Sequence, residues 1–134
     1  MAEKIKIKQK FNGIDVEAEL KVGVNLLSGD SGTGKTLLMQ AVELYCAENE
    51  IKYTFLNYRQ RESTVEQIVA LCNTSEVVII DNADLFISEK LISELTKTSK
   101  YLLVSLKDST KIDERNITEF IVHYEDMKLR LEEI

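Results

Sequence analysis

Residues 29 to 36 read Gly-Asp-Ser-Gly-Thr-Gly-Lys-Thr, a combination of residue types that suits the binding of phosphate groups. The three glycines let the backbone turn tightly and bring successive N–H groups close to an anion. Lys35 is placed to reach the outer phosphates, and the Thr36 hydroxyl is a ligand that Mg²⁺ accepts. A nucleoside triphosphate is therefore the expected ligand. The residues predicted to bind it are Gly29, Asp30, Ser31, Gly32, Thr33, Gly34, Lys35 and Thr36.

The segments on either side of these residues favour the same chemistry. Residues 22–28 are apolar enough for a buried strand that runs into the loop, and residues 37–46 are a helix-forming run that leaves it. A helix that starts at a glycine-rich loop directs its positive end and its unpaired N–H groups at the anion. Strand, loop and helix therefore occur in the order that phosphate binding requires.

A second acidic position is expected beside this loop. Residues 77–80 are Val-Val-Ile-Ile, and Asp81 follows them directly. Four consecutive branched apolar residues are typical of a strand in a parallel sheet that is covered on both faces. Asp81, at the carboxyl end of that strand, is predicted to hold Mg²⁺ together with Thr36. Lys35 and Asp81 are thus the first candidate catalytic residues.

These two patterns resemble the Walker A and Walker B motifs of P-loop NTPases. The order of strands around them is similar to that of the ASCE division, which includes the RecA-like, ABC and AAA+ ATPases, over Val22 to about Tyr124. A hairpin ahead of Walker A resembles ABC and RecF-type heads, and a terminal hairpin carrying Lys128 and Arg130 resembles RecA and KaiC-type folds. The subgroup stays open, and ATP and Mg²⁺ are the cofactors that the resemblance implies.

The expected fold is an α/β three-layer sandwich with a mostly parallel, five-stranded core sheet. Strands are predicted at residues 52–57, 77–80, 101–105 and 117–124, and helices at residues 63–73 and 85–98. Ser63 and Glu66 have the spacing of a capping box at the start of the first of these helices. Such alternation implies right-handed crossovers, with the ligand at the carboxyl edge of the sheet.

Residues 1–134 are expected to form a single nucleotide-binding domain. An N-terminal antiparallel hairpin occupies residues 1–21, the core occupies 22–124, and residues 125–134 form a terminal strand or a helix. As a strand, the last segment would form a hairpin with residues 117–124 through Glu125-Asp126. A helical lid domain of the kind that AAA+ proteins carry is not expected within this length.

The N-terminal hairpin is predicted from alternation and from its turn. Lysines alternate with apolar residues up to Phe11, acids alternate with apolar residues from Ile14, and Asn12-Gly13 between them is a strong hairpin signal. Closing this turn pairs Phe11 with Ile14 and places every lysine from Lys6 to Lys10 opposite a carboxylate. These lysines are therefore interpreted as a solvated face, in preference to a DNA-binding patch.

The residue that orients the attacking water is less clear. Many ASCE ATPases have Glu directly after the Walker B acid, where this chain has Asn82. RecA-like enzymes use a Glu just beyond the second strand, which corresponds to Glu62, and Asp84 is another nearby acid. Glu62 and Asp84 are therefore further catalytic candidates, with an exposed loop acid as the alternative interpretation of each. Ser105 matches the position of a polar sensor at the end of the fourth strand.

Three functions are consistent with these residues. The first is a slow Mg-dependent ATPase that couples its nucleotide state to a partner protein or to self-assembly. The second is a nucleotide-binding switch without turnover, which Asn82 favours, and the third is a small-molecule or nucleotide kinase. Kinases of this fold close an arginine-bearing lid over the phosphates, and the chain has only four arginines.

Assembly is expected because P-loop ATPases commonly complete the site with a positive group on the transferring phosphoryl. The candidates are Arg59, Arg61, Arg115, Lys128 and Arg130. Lys128 and Arg130 are preferred on the hypothesis that the terminal hairpin forms the edge of the sheet and reaches a neighbouring subunit.

Composition limits the partners and the location. A net charge of −6 argues against a broad nucleic-acid surface, so contact with nucleic acid is expected only indirectly. There is no run of 18 apolar residues and no signal-peptide pattern, so neither a membrane span nor secretion is indicated. Cys46 and Cys72 lie among apolar neighbours on predicted helices and are interpreted as buried thiols. A cytoplasmic protein is expected.

Overall fold

The computed structural model describes residues 4–28, 34–57, 63–81, 88–105 and 117–134. Within these ranges the chain forms eight strands and three helices, and none of these helices is long and apolar enough to span a bilayer. In chain order they are β1 (Lys4–Phe11), β2 (Ile14–Lys21), β3 (Gly23–Ser28), α1 (Lys35–Glu48), β4 (Tyr53–Leu56), α2 (Val65–Leu71), β5 (Val77–Ile80), α3 (Glu89–Thr98), β6 (Tyr101–Ser105), β7 (Ile117–Glu125) and β8 (Lys128–Glu133).

All described strands belong to one sheet, in the order β1-β2-β8-β7-β3-β6-β5-β4. The five strands β7, β3, β6, β5 and β4 run parallel to one another, so their carboxyl ends meet at the same edge. Strand β6 lies between β3, which leads into the glycine-rich loop, and β5, which ends before Asp81. This mixed, mostly parallel sheet confirms the expected fold class of a P-loop NTPase.

The N-terminal hairpin has the predicted register. Phe11 pairs with Ile14, and the two turn residues Asn12 and Gly13 have φ values of 51° and 78°. Positive φ at both positions matches the twist of the flanking strands, which is why Asn-Gly favours this turn. One ion pair differs from the direct cross-strand pairing: Glu19 contacts Lys4 at 3.0 Å, on the diagonal. The Lys4 ammonium holds the pKa of Glu19 below its usual value.

The terminal segment is a strand, and its position corrects one prediction. The β7–β8 turn consists of Asp126 and Met127, with φ values of 52° and 60°, one residue later than the predicted turn. On its other side β8 pairs in parallel with β2, so that Asp15 lies opposite Lys128. The hypothesis that the terminal hairpin forms the sheet edge is therefore wrong, since β2 and β1 continue the sheet beyond it.

Helices cover both faces of the sheet. On one face, helix α1 belongs to an apolar cluster that includes side chains of β1 and β2 and of the parallel strands, and α2 and α3 pack on the other face of the core strands. Cys46 lies in the first apolar cluster and Cys72 in the second, and both are free thiols, as predicted. Burial raises the pKa of each thiol to about 11.

The starts of α2 and α3 differ by a few residues from the predicted ones. Thr64, not Ser63, is the N-cap of α2: its hydroxyl accepts the Gln67 N–H at 3.1 Å, and Gln67 Oε1 accepts the Thr64 N–H at 2.8 Å. The capping box is thus shifted by one residue, because Gln67 can close it as well as a glutamate. Helix α3 begins after Ser88, and the predicted start at residues 85–87 lies outside the described ranges.

A buried polar side chain ties the hairpin to the core. Asn25 in β3 is fully buried, and its amide donates to the carbonyls of Lys21, at 2.8 Å, and of Leu102, at 3.1 Å. Its Oδ1 accepts the Lys21 N–H at 2.8 Å. These bonds satisfy backbone groups at the corner between β2 and β3, where Gly23 has a φ of 100°. The hairpin is thereby held in a defined direction relative to the parallel core.

Candidate functional site

The first turn of α1 carries the part of the glycine-rich loop that the structure describes. Gly34 is the N-cap, with a φ of 97°, and it offers no side chain to the N–H groups of the first turn. That turn contains no acidic residue either, so its positive end is not neutralised from within the helix. Lys35 follows and is only 8% exposed. The predicted binding residues Gly29 to Thr33 lie outside the described ranges.

The two predicted metal ligands meet at this point. Thr36 Oγ1 donates a hydrogen bond to Asp81 Oδ2 over 3.1 Å, although the residues are 45 positions apart. A hydroxyl and a carboxylate are the hard oxygen ligands that Mg²⁺ prefers, and Mg²⁺ takes only one or two protein ligands where phosphates and water supply the others. The donor set therefore fits a Mg²⁺ ion that is bound together with a phosphorylated ligand.

Asp81 is positioned by the strands beneath it. Residues Val77–Ile80 of β5 are all fully buried, which leaves Asp81 as the first partly exposed residue after the strand. Its N–H donates to the Leu56 carbonyl at 3.0 Å and so continues the pairing between β5 and β4. The carboxylate is thus fixed at the carboxyl edge of the sheet, with β6 between its strand and β3.

Gly34 also contacts the opposite side of the site. A Cβ atom at this position would lie 3.1 Å from Leu129 Cδ1 and 3.5 Å from Tyr124 Cβ. Both residues belong to the β7–β8 hairpin, so the end of the loop rests directly on that hairpin. Glycine is favoured here for two independent reasons, its positive φ and this close approach.

The fold places the remaining candidate residues in different parts of the molecule. Ser105 is buried at the carboxyl end of β6, beside Leu27 of β3, at the edge where the sequence places a sensor. Lys128 and Arg130 are exposed and share a face of β8, but that face is turned away from the α1 layer, to which Leu129 contributes. Outside the described ranges lie Glu62, Asp84, Asn82, Arg59, Arg61 and Arg115.

Two residues at this edge were not identified from the sequence. Tyr124 and Met127 are 44% and 53% exposed; Tyr124 lies near the end of β7, close to Gly34, and Met127 lies in the β7–β8 turn. The period-2 pattern places Tyr124 on the same face as Val122, but only the position of β7 next to β3 brings it to the loop. Among the described residues no group of three or more His, Cys, Asp or Glu side chains forms an additional metal site.

Comparisons with known proteins agree with this fold. Two solved structures of the replication initiator DnaA are similar to the chain: one is bound to AMPPCP and single-stranded DNA, and the other is AMPPCP-bound DnaA from Aquifex aeolicus. The TM-scores are 0.53 and 0.54 and the identities 14% and 13%, over 69% and 73% of this chain. The chain spans only 36% and 40% of those DnaA chains. No curated protein matches its sequence.

The family comparison is more specific. The model of the ATPase family associated with various cellular activities (AAA) matches residues 25–124, which include the first turn of α1, Asp81 and most of each of the five parallel strands. The expected resemblance to the ASCE division is thereby confirmed. The match lies in the AAA branch of that division, which is neither of the two cores, RecA/KaiC-like and ABC/RecF-like, between which the sequence had left the choice open. The chain belongs to the AAA family of P-loop ATPases.

Proposed function

We propose that the chain binds Mg-ATP at residues 29–36 and hydrolyses it slowly. The observation that carries this proposal is the hydrogen bond between Thr36 and Asp81 at the start of α1. It brings the hydroxyl of one motif and the carboxylate of the other to one point, next to the buried Lys35. The DnaA structures that share this fold hold AMPPCP, an ATP analogue, which supports a nucleoside triphosphate as the ligand.

The residues at the start of α1 and Asp81 have separate roles in this proposal. The N–H groups at the start of α1 and the Lys35 ammonium bind the β- and γ-phosphates. Thr36 and Asp81 hold the Mg²⁺ ion, which when bound would neutralise the charge that develops on the phosphate oxygens. Leu38 N–H bonds to the Gly34 carbonyl at 2.9 Å, so this first turn is already ordered for the ligand.

Slow turnover is proposed because no acid follows Asp81 directly. Asn82 in that position can donate or accept a hydrogen bond but cannot take a proton from water. Glu62 and Asp84 remain the predicted alternatives for orienting the water. Asn82 equally favours the second candidate function, a nucleotide-binding switch without turnover. We expect Asn82→Glu to raise the rate of phosphate release, with Asn82→Gln as the control for side-chain length.

Coupling to a protein partner or to self-assembly completes the proposal. The positive group on the transferring phosphoryl is assigned to Arg59, Arg61 or Arg115 of a neighbouring copy or of the chain itself, because Arg130 lies on an internal strand. Specific activity should then rise with protein concentration or on addition of the partner. If specific activity stays constant over a hundredfold dilution and only monomer is present in Mg-ATP, coupling to self-assembly is contradicted.

The central test is the effect of Mg-ATP on thermal stability. A ligand at 100 times its Kd stabilises the native state by about 2.7 kcal/mol, which corresponds to a rise of about 10 °C in Tm for a domain of this size. Lys35→Ala should abolish most of this shift, whereas Lys97→Ala, at an exposed position on α3, should retain it. A wild-type Tm that does not move in millimolar Mg-ATP would contradict the proposed function. Phosphate release with and without candidate acceptors separates an ATPase from a switch and from a kinase.

A further inference from the structure

The tip of the β7–β8 hairpin presents two large apolar side chains to solvent. Tyr124 is 44% exposed and Met127 is 53% exposed, and the Tyr124 hydroxyl donates to Met127 Sδ over 3.8 Å. The two-residue turn between β7 and β8 has positive φ at Asp126 and Met127, which fixes the direction of the Met127 side chain relative to the strand. An aromatic ring and a thioether are thus held side by side at the surface.

Tyr124 of this pair lies against the turn that begins α1. A Cβ atom on Gly34 would be 3.5 Å from Tyr124 Cβ and also 3.5 Å from Val122 Cγ1. Tyr124 lies two residues after the buried Val122 and therefore shares the face of the sheet on which α1 packs. The ring is consequently on the same face as the first turn of α1, one strand to the side of β3.

The direction of a bound triphosphate follows from the sheet order. Thr36 and Asp81, which hold Mg²⁺ at the β- and γ-phosphates, lie on the side of β3 that faces β6 and β5. The hairpin of β7 and β8 lies on the other side of β3. A chain of three phosphates that crosses the first turn of α1 with its γ end towards Asp81 must direct its nucleoside end towards Tyr124.

We infer that Tyr124 and Met127 form the platform on which the nucleoside base stacks. Aromatic rings bind the π-face of a base by offset stacking, and a thioether sulfur makes favourable contacts at a ring edge. The pair has no amide or carboxylate that would distinguish one base edge from another, and every base has a π-face, so this platform accepts bases in general. The inference rests on the proposed binding of a nucleoside triphosphate at residues 29–36.

The test compares ATP with inorganic tripolyphosphate, which has the phosphates but no base. Base stacking on an aromatic side chain is worth about 5- to 150-fold in affinity, so Tyr124→Ala should weaken Mg-ATP binding by a factor in this range. Binding of Mg-tripolyphosphate should stay unchanged, and Tyr124→Phe should retain the affinity for Mg-ATP. Leu71→Ala, at an exposed apolar position on α2, is the matched control for both ligands.

A second measurement uses the absence of tryptophan from the chain. Tyr124→Trp introduces the single tryptophan of the chain at the platform, and its emission, excited apart from that of the tyrosines, should change with Mg-ATP or Mg-GTP but not with Mg-tripolyphosphate. Leu71→Trp should respond to none of these ligands. This readout does not depend on the stability of the alanine variant, because the tryptophan variant keeps an aromatic ring at the site.

The outcomes separate the inference from the function on which it rests. If Lys35→Ala leaves the binding of ATP and of tripolyphosphate intact, the proposed phosphate site itself is wrong. A different pattern overturns only the base platform: Lys35→Ala abolishes both, Tyr124→Ala binds ATP as wild type does, and the emission of the Tyr124→Trp variant does not change with ATP.

Discussion

Thr36 and Asp81 are joined by a hydrogen bond of 3.1 Å between Oγ1 and Oδ2, at the edge where the parallel strands end. Thr36 is the second residue of α1, and Asp81 follows β5, with β6 between β5 and the strand that precedes α1. The bond therefore connects the two halves of the site across an intervening strand. It also places both ligands of the expected Mg²⁺ ion within reach of one cation.

Asp81→Asn tests whether this carboxylate holds the metal. The amide can still accept the Thr36 hydrogen bond but loses the negative charge, so ATP affinity in Mg²⁺ should fall about 10- to 100-fold, as expected for a charged interaction worth about 1.5–3 kcal/mol. Affinity in EDTA should change little. Titration calorimetry in both buffers measures the difference, with Asp15→Asn on the hairpin as the control. An unchanged magnesium dependence would show that another acid holds the ion.

Gly34→Ala should destabilise the fold and the site together. Alanine at a φ of 97° is strained, and its Cβ would approach Leu129 Cδ1 to 3.1 Å. Gly13→Ala is the matched control, since Gly13 has a φ of 78° and no atom within 4 Å of the added Cβ. We expect urea unfolding to show a loss of about 1 kcal/mol at Gly13 and about 2–3 kcal/mol at Gly34. Equal losses of unfolding free energy in the two variants would mean that the β7–β8 hairpin does not restrict the space at Gly34.

Asn25→Ala should be among the more damaging single substitutions. It leaves the Lys21 N–H and the Lys21 and Leu102 carbonyls without the bonds that the Asn25 side chain makes. Unsatisfied groups of this kind lower the free energy of unfolding by about 2–4 kcal/mol in total. Asn73→Ala, at an exposed position after α2, should change it by less than about 0.5 kcal/mol. Comparable unfolding midpoints for the two variants would contradict the role assigned to Asn25.

The buried thiols predict how stability changes at alkaline pH. Burial raises the pKa of Cys46 and of Cys72 from an ordinary 9.0 to about 11 in the folded chain. A raised folded pKa means that the neutral thiol stabilises the fold fully below about pH 9, and that this contribution is lost as the pH rises towards 11. The stability difference between wild type and Cys46→Ala should therefore narrow from about pH 8 to about pH 11 in urea titrations. Ellman's reagent should react with both thiols only after unfolding, and rapid reaction in native buffer at about pH 8 would contradict their burial.

Much of the local structure follows from the order of residues along the chain. The N-terminal hairpin has its predicted register because Asn12-Gly13 specifies a two-residue turn and the alternation of lysines, acids and apolar residues allows only one face to be buried. The strand before Asp81 and the helix after Gly34 were predictable for similar reasons. Turn residues and the spacing of apolar residues determine structure over a few neighbouring positions, and both can be read directly from the sequence.

The arrangement of these elements was decided by contacts between distant parts of the chain. Nothing near Lys128 indicates that β8 pairs with β2, because Asp15 and Lys128 meet only once the sheet has assembled. Tyr124 resembles an ordinary strand residue until β7 is placed beside β3, which brings it to Gly34. The sequence by itself determined the phosphate-binding chemistry and the likeness to P-loop ATPases, because those depend on residue types at short spacing. Strand order, the Thr36–Asp81 contact and the exposed platform depend on non-local pairing, in which many registers share the same apolar pattern and only packing of the whole core selects one.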